Sequence, residues 1–394
     1  MTLPSAEDSV IVNVFGRTDV GRTREHNEDA FVVADLSRGN ATLQPEVRTH
    51  AVGGLGTLFM VADGMGGAAA GEIASAMAIE VVLREMTEAL ASAEPPTEET
   101  YAWSLKHATA AANTQIHAFA MEHPEFRGMG TTATVAAVLG STLYLAQVGD
   151  SRAYLLRGGA GRQITKDQSL MQKLIEAGEI TEEEAEYSER RNIILQALGP
   201  ESAIKVDLTH QPLRRGDVLV LCSDGLSGQV RADEITAIVA DEPDLVSACK
   251  RMIDRANENG GPDNITVIAA RFDGSGLLEP TDADLVGHRV FPFAQETSNA
   301  TSPALGAARS MAVTSETSTA KPRRKTLELP PEAFVLTSSI PRATLAGRRS
   351  RGALIAMMCV VVFLGVATWW AYRTAELHLL PRHDATNQAG GSRP

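Results

Sequence analysis

Phe59-Met60-Val61-Ala62-Asp63-Gly64-Met65-Gly66-Gly67 is the stretch from which the rest of the chain can be read. Four apolar residues read as a buried strand, a carboxylate closes it, and glycines turn the chain toward an Ala-rich, apolar-periodic stretch at 71–90 that predicts a helix. The same arrangement recurs three times. Asp150 lies in Val148-Gly149-Asp150-Ser151-Arg152, Asp224 in Leu221-Cys222-Ser223-Asp224-Gly225, and Asp263 in Gly261-Pro262-Asp263-Asn264-Ile265, each beside an apolar run. A single aspartate at a strand end usually caps a turn. Four of them make independent capping a poor explanation and a shared site a better one. Bringing carboxylates together costs about 4 kcal/mol per pair at about 4 Å and an effective dielectric of about 20. Hard divalent cations with oxygen ligands remove that penalty. The pattern therefore points to a di-metal hydrolase, with the Gly64 carbonyl free to face a cation because no side chain stands in the way.

Working outward, the periodicities predict a second helix over 98–122, strands over 131–139, 143–148 and 153–156, and a helix over 166–177. Beyond these come a buried strand over 218–222, helices over 233–239 and 244–258, and a strand over 265–272. Strands arriving as hairpins and helices arriving in pairs point to an α+β fold rather than a doubly wound parallel sheet. The loop Asp19-Val20-Gly21-Arg22-Thr23-Arg24-Glu25-His26-Asn27-Glu28-Asp29 carries arginines whose planar forks suit phosphate, and acids that could support a metal site. Taken alone, it reads as a solvated charged loop.

The chain has 394 residues, 44% apolar and 5% aromatic, with a net charge of −13. From Gly274 onward there are 13 Lys+Arg against 9 Asp+Glu, which leaves about −17 on the first 273 residues. Such acidity argues against nucleic acid as a partner. Cys222, Cys249 and Cys359 form neither a metal-ligand spacing nor a disulfide framework, which favours a reducing compartment. Residues 1–8 are polar and do not read as a signal peptide.

Three further segments follow the region 10–273. Residues 274–351, rich in Ser, Thr, Ala, Pro and Arg, predict a disordered linker. Residues 352–372 are uncharged throughout and end in Trp369, Trp370 and Tyr372. Roughly 20 residues at about 1.5 Å each cross a hydrocarbon core of about 30 Å, so this run predicts a transmembrane helix with an interfacial aromatic belt. Arg342, Arg348, Arg349 and Arg351 before it, against Arg373 and Arg382 after it, place the N-terminal side in the cytoplasm and the polar tail 373–394 outside.

The ordered series Arg-x-x-Asn-Glu-Asp (24–29), Asp-Gly-Met-Gly-Gly (63–67), Gly-Met-Gly-Thr-Thr (128–132), Gly-Asp-Ser-Arg (149–152), Ser-Asp-Gly-Leu (223–226) and Asp-Asn-Ile-Thr (263–266) resembles the metal-dependent Ser/Thr protein phosphatases of the 2C type, nearest to their bacterial membrane-anchored branch. The resemblance covers about 13–272. It implies a four-layer αββα sandwich with two Mn²⁺ or Mg²⁺ ions at one end. Asp63 would bridge both ions, the Gly64 carbonyl would complete one, and Asp224 and Asp263 would hold the other. Asp150 would serve a weaker third ion, with Asn192 close by in a flap-like segment. Arg24 would contact the substrate phosphate and Glu28 the metal-bound water.

The implied reaction is direct hydrolysis of phosphoserine and phosphothreonine by water activated between the ions. The implied partners are phosphorylated proteins, Ser/Thr kinases and their substrates, or a regulatory phosphoprotein, met at the inner face of a bacterial cytoplasmic membrane. Met65 and Ala68 stand where some members carry a histidine, and Gln168 stands where a histidine is common. The general acid is therefore unassigned. The competing expectation is a catalytically silent phosphoprotein-binding module of the same fold.

Overall fold

The computed structural model describes residues 9–38, 49–67, 70–91, 94–242 and 244–293. In chain order its elements are β1 (Ile11–Asp19), β2 (Ala30–Asp35), β3 (Thr49–Ala51), β4 (Thr57–Ala62), β5 (Gly64–Met65), α1 (Ala70–Ala89), α2 (Glu98–Glu122), β6 (Gly130–Thr131), β7 (Ala133–Leu139), β8 (Thr142–Val148), β9 (Arg152–Arg157), β10 (Ala160–Gln163), α3 (Leu170–Glu176), α4 (Glu182–Glu186), β11 (Asp207–Pro212), β12 (Val218–Cys222), α5 (Asp224–Ser227), α6 (Ala232–Asp241), α7 (Leu245–Glu258) and β13 (Ile265–Asp273).

Among the described residues two large sheets, in the orders β10-β9-β12-β13-β1-β3 and β11-β8-β7-β4-β2, and a two-stranded sheet β5-β6 are formed, with antiparallel pairing throughout. Side chains alternate between faces along a strand, so each central strand feeds two cores. On β4, Leu58, Met60 and Ala62 pack against α1 and α2, whereas Phe59 and Val61 fill the space between the sheets. On β12, Leu219 and Leu221 face that same space, whereas Val218, Val220 and Cys222 pack under α6 and α7. The layers are therefore helix, sheet, sheet, helix. Burial on both faces explains why these antiparallel strands read as unbroken apolar runs rather than as an alternation.

Two predicted elements are cut shorter. The strand expected over 131–139 breaks at Thr132, whose N–H and hydroxyl turn toward Asp63. The helix expected over 166–177 starts only at Leu170, because Ser169 Oγ caps it by accepting the Gln172 N–H at 3.2 Å. Asp167 and Gln168, just upstream, are tied to Arg152 and Gly149 instead.

The first twenty residues of the segment expected as a linker, 274–293, are packed. Residues 274–293 run back over the body and bury Leu277, Phe291 and Phe293. Val290 bridges to Thr209 on the edge of β11, and the His210 and Phe291 N–H groups donate to Arg289 O and Leu208 O, both at 2.9 Å. Arg157, paired at 2.6 Å with the fully buried Asp217, also donates to Asp284 O at 3.0 Å. Three apolar anchors in twenty residues are too sparse to show periodicity, so the segment reads as linker although it is packed.

The predicted span 352–372, the tail 373–394 and the rest of the linker lie outside the described residues. Among the described residues no helix is long and apolar enough to cross a membrane.

A chain ending after Asp273 is expected to melt about 10 °C or more below one ending after Phe293. Burial of each lost phenylalanine contributes about 1.5–3 kcal/mol, and about 1 kcal/mol shifts a domain of this size by about 2–4 °C. Thermal unfolding of the two forms checks this; equal midpoints would restore the boundary at 273.

Candidate metal centre

Strands β4, β8 and β12 end, and β2 and β13 begin, at one end of the sandwich, and Asp63, Asp150, Asp224, Asp29 and Asp263 stand at those five termini. Asp63 is held through its backbone. Its N–H donates to Thr132 Oγ1 at 3.0 Å, and its carbonyl accepts Thr132 N–H and Thr131 Oγ1, both at 2.9 Å. That leaves the carboxyl free to face the other acids. Gly64 pairs with Thr131 and donates its N–H to Glu28 O at 3.2 Å. A Cβ at this position would stand 2.3 Å from Gly71 O and 2.5 Å from Glu28 O, so only glycine fits.

Asp29 is buried. Its Oδ2 accepts from Thr266 Oγ1 at 2.6 Å and Ser223 Oγ at 2.8 Å, while its Oδ1 is buried without a hydrogen-bond partner. Asp150 Oδ1 is likewise buried and unpartnered. The Asp150 turn is braced from behind. Arg152 grips Asp167 with a fork, the shortest arm being 2.7 Å, and Gln168 Oε1 accepts the Gly149 N–H at 3.0 Å. Glu28 is also buried, with its carboxylate against Gly71 in the first turn of α1.

These acids oppose one another's ionisation. Burial, then the charges of Asp29, Asp224, Asp150 and Asp263, hold the Asp63 carboxyl well above the usual carboxylate range. Burial pushes Asp29 up to about 7, against the hydrogen bonds from Thr266 and Ser223. Burial, with the charges of Asp224 and Asp167, pushes Asp150 up to about 7 as well. Asp224 is raised by burial and by Asp263, against its side-chain hydrogen bond with Asp63. A hydrogen bond between two carboxyl groups requires one of them to carry a proton. In the protein alone, therefore, protons take on part of the neutralising role that cations would have.

Asp263 has both oxygens engaged, Oδ1 accepting the Asn264 N–H and Oδ2 the Arg24 Nη2, each at 2.8 Å. Among the described residues no three His, Cys, Asp or Glu side chains are drawn into a finished cage. Asp263 is turned to other partners, the Arg24 guanidinium and the Asn264 N–H. The donor set nevertheless fits hard cations. It is all oxygen, two of its buried oxygens lack partners, and its members repel one another without a positive charge between them.

The expected site residues thus divide. Asp63, Gly64, Asp150, Asp224, Asp263, Glu28 and Arg24 lie in this one network. Asn192 lies exposed between Arg191 and Ile193, and among the described residues no hydrogen bond joins it to the acids. Ser223, Thr266 and Thr132 stand inside quoted motifs, but those motifs do not disclose that their hydroxyls brace Asp29 and Asp63. Asn264 belongs to a quoted motif, yet nothing in the motif discloses what it does. Its carboxamide accepts the Glu28 N–H at 2.8 Å and donates to Val20 O and His26 O at 3.0 and 2.9 Å.

A family model described as protein phosphatase 2C matches residues 40–268. The serine/threonine phosphatase stp of Listeria monocytogenes serovar 1/2a is 38% identical over 257 residues, covering 65% of this chain and 94% of that protein. The serine/threonine protein phosphatase PstP of Mycobacterium tuberculosis is 36% identical over 265 residues, 67% of this chain and 46% of that protein. The solved catalytic domain of a PstP in complex with two manganese ions is 35% identical, with a TM-score of 0.55 over 67% of this chain and 99% of that one.

Raised carboxyls make the cation-free protein lose stability as pH rises. Between the ordinary value of 3.8 and about 7, the folded form holds protons on Asp29 and Asp150 that the unfolded chain has released. Thermal unfolding in a chelator is therefore expected to show a falling midpoint from about pH 5 to about pH 7.5. The slope should be shallower in Asp150→Asn, and saturating Mg²⁺ should restore most at the upper end. A midpoint that rises over this window contradicts the assignment.

Proposed function

We infer, from the premise that this chain belongs to the protein phosphatase 2C family, that the acidic end of the sandwich is its catalytic centre. The chain is a protein serine/threonine phosphatase, and its dephosphorylation depends on metal. The observation that carries the siting is the meeting of five aspartates from five strand termini, two with buried, unpartnered oxygens. A silent binding module has no need of such a costly cluster.

In this reading Asp63, Asp224, Asp263 and the Gly64 carbonyl would hold two Mn²⁺ or Mg²⁺ ions, and Asp150 with Asp224 would serve a third. The bound ions would supply Lewis acidity, bringing the ionisation of water toward neutrality and offsetting phosphate charge. The chain's own groups do the rest. Glu28, fixed by its backbone contacts to Gly64, Ser75 and Asn264, orients incoming water by accepting its hydrogen bond. Arg24 offers its fork to two oxygens of the substrate phosphate and holds phosphorus in line with that water. Asp29, anchored by Ser223 and Thr266, keeps the neighbouring acids at their spacing.

The phosphorylated proteins it acts on would include Ser/Thr kinases and their substrates. The apolar run 352–372 supports a single-pass anchor in the bacterial inner membrane with residues 10–293 in the cytoplasm. Tethering would raise the effective concentration of the enzyme toward partners at that surface.

Hydrolysis of p-nitrophenyl phosphate by the full chain is expected to stop in a chelator and return with Mn²⁺. Asp63→Ala should lower kcat by at least about 10²–10³-fold; chelator-resistant turnover by either form rules the site out. Deleting 352–394 is expected to move the protein from the membrane fraction to the soluble fraction while leaving turnover of this small substrate unchanged. If turnover is lost with the deletion, the segment is part of the catalytic body rather than an anchor.

A further inference from the structure

Arg24 has the most unexpected placement in the site. A phosphate-binding arginine would be expected to stand open, yet its Nη2 lies 2.8 Å from Asp263 Oδ2. Asp263 is a metal-ligand candidate, and its other oxygen is already taken by the Asn264 N–H. The loop that carries Arg24 is fastened close to that aspartate. Asn264 receives the Glu28 N–H and donates to Val20 O and His26 O, while Arg22 N–H donates to Gly261 O at 2.7 Å. The positive charge of Arg24 is also felt by Glu28, Asp63 and Asp224, while that of Arg152 reaches Asp150 and Asp224.

We propose that Arg24 and a divalent cation compete for Asp263, so that metal loading releases the guanidinium to the substrate phosphate. The proposal rests on the phosphatase reading of this site and adds a coupling to it. Of the two groups on Asp263, the Asn264 N–H belongs to a buried residue, whereas the Arg24 side chain is 48% exposed on a loop. The arginine is the partner that can leave. A dication beside Asp263 repels the guanidinium, and a phosphate dianion attracts it. Metal and phosphate are then coupled through one side chain, and the coupling must act equally in both directions. Without metal, the arginine is withheld from phosphate; without phosphate, it resists the metal.

The test is calorimetric titration of Mg²⁺ into the full chain in phosphate-free buffer, for wild type, Arg24→Gln and Arg22→Gln. Arg24→Gln is expected to bind Mg²⁺ about twofold to fivefold more tightly than wild type, the range set by a partly exposed ion pair. Arg22→Gln, which removes the same charge two residues away, is expected to match wild type. With saturating inorganic phosphate present, the advantage of Arg24→Gln should vanish or reverse, because wild type then gains the arginine–phosphate contact. Equal or weaker Mg²⁺ binding by Arg24→Gln overturns the proposal, and so does equal tightening by both variants, which would mark a general charge effect. If wild type takes up no Mg²⁺ at all, it is the metal-site reading that fails, a result distinct from either of these.

Discussion

Five carboxylates face one another at the end of the sandwich where β4, β8 and β12 finish and β2 and β13 begin. Each is pushed against its neighbours by the strand behind it, and the strands are fixed by cores on both faces. The acids cannot retreat without breaking that packing. Their repulsion must be met in place: with burial it holds the Asp63, Asp29, Asp150 and Asp224 carboxyls above the usual carboxylate range, and the guanidinium of Arg24 sits on Asp263. The fold thus stores an unfavourable arrangement, and its relief by divalent cations is the working state proposed above.

The surrounding contacts serve the same constraint. Glycine at 64 and 71 lets β5, the first turn of α1 and the Glu28 segment close to distances no side chain would permit. Thr132 interrupts a strand to grip the backbone of Asp63, and Ser223 and Thr266, on neighbouring strand ends, converge on one oxygen of Asp29. Elsewhere on the body, residues 274–293 and the buried Arg157–Asp217 pair close over β11. Residues 274–293, which look like tether in composition, are therefore packed on the enzyme's body.

Legibility in the sequence followed how local each signal was. β4, β12 and β13 are buried on both faces, so each is an apolar run ending or starting at an aspartate, and both the strand and the acid could be read. α2 was legible to its ends from periodicity alone, and Thr97 caps its start. β1 and β11 were not legible. In Ile11–Asp19 only Val12 and Val14 are deeply buried, and Asp207–Pro212 is a half-polar edge strand. The roles of Ser223, Thr266 and Asn264 depend on partners up to 244 residues away, and nothing in the local pattern discloses those partners. Arg24 was legible as a basic group near the acids. Its pairing with Asp263 was not, because that pairing exists only once the two loops meet.

The central claim is that Asp63, Asp224 and Asp263 come together around divalent cations. Anomalous diffraction from crystals of the protein grown with Mn²⁺ tests it most directly. The account predicts two strong anomalous peaks, both touching the Asp63 carboxylate, with Asp224 and Asp263 on one of them and Arg24 turned away from Asp263. Fully occupied Mn²⁺ elsewhere on the molecule, with no peak among these three aspartates, would contradict it.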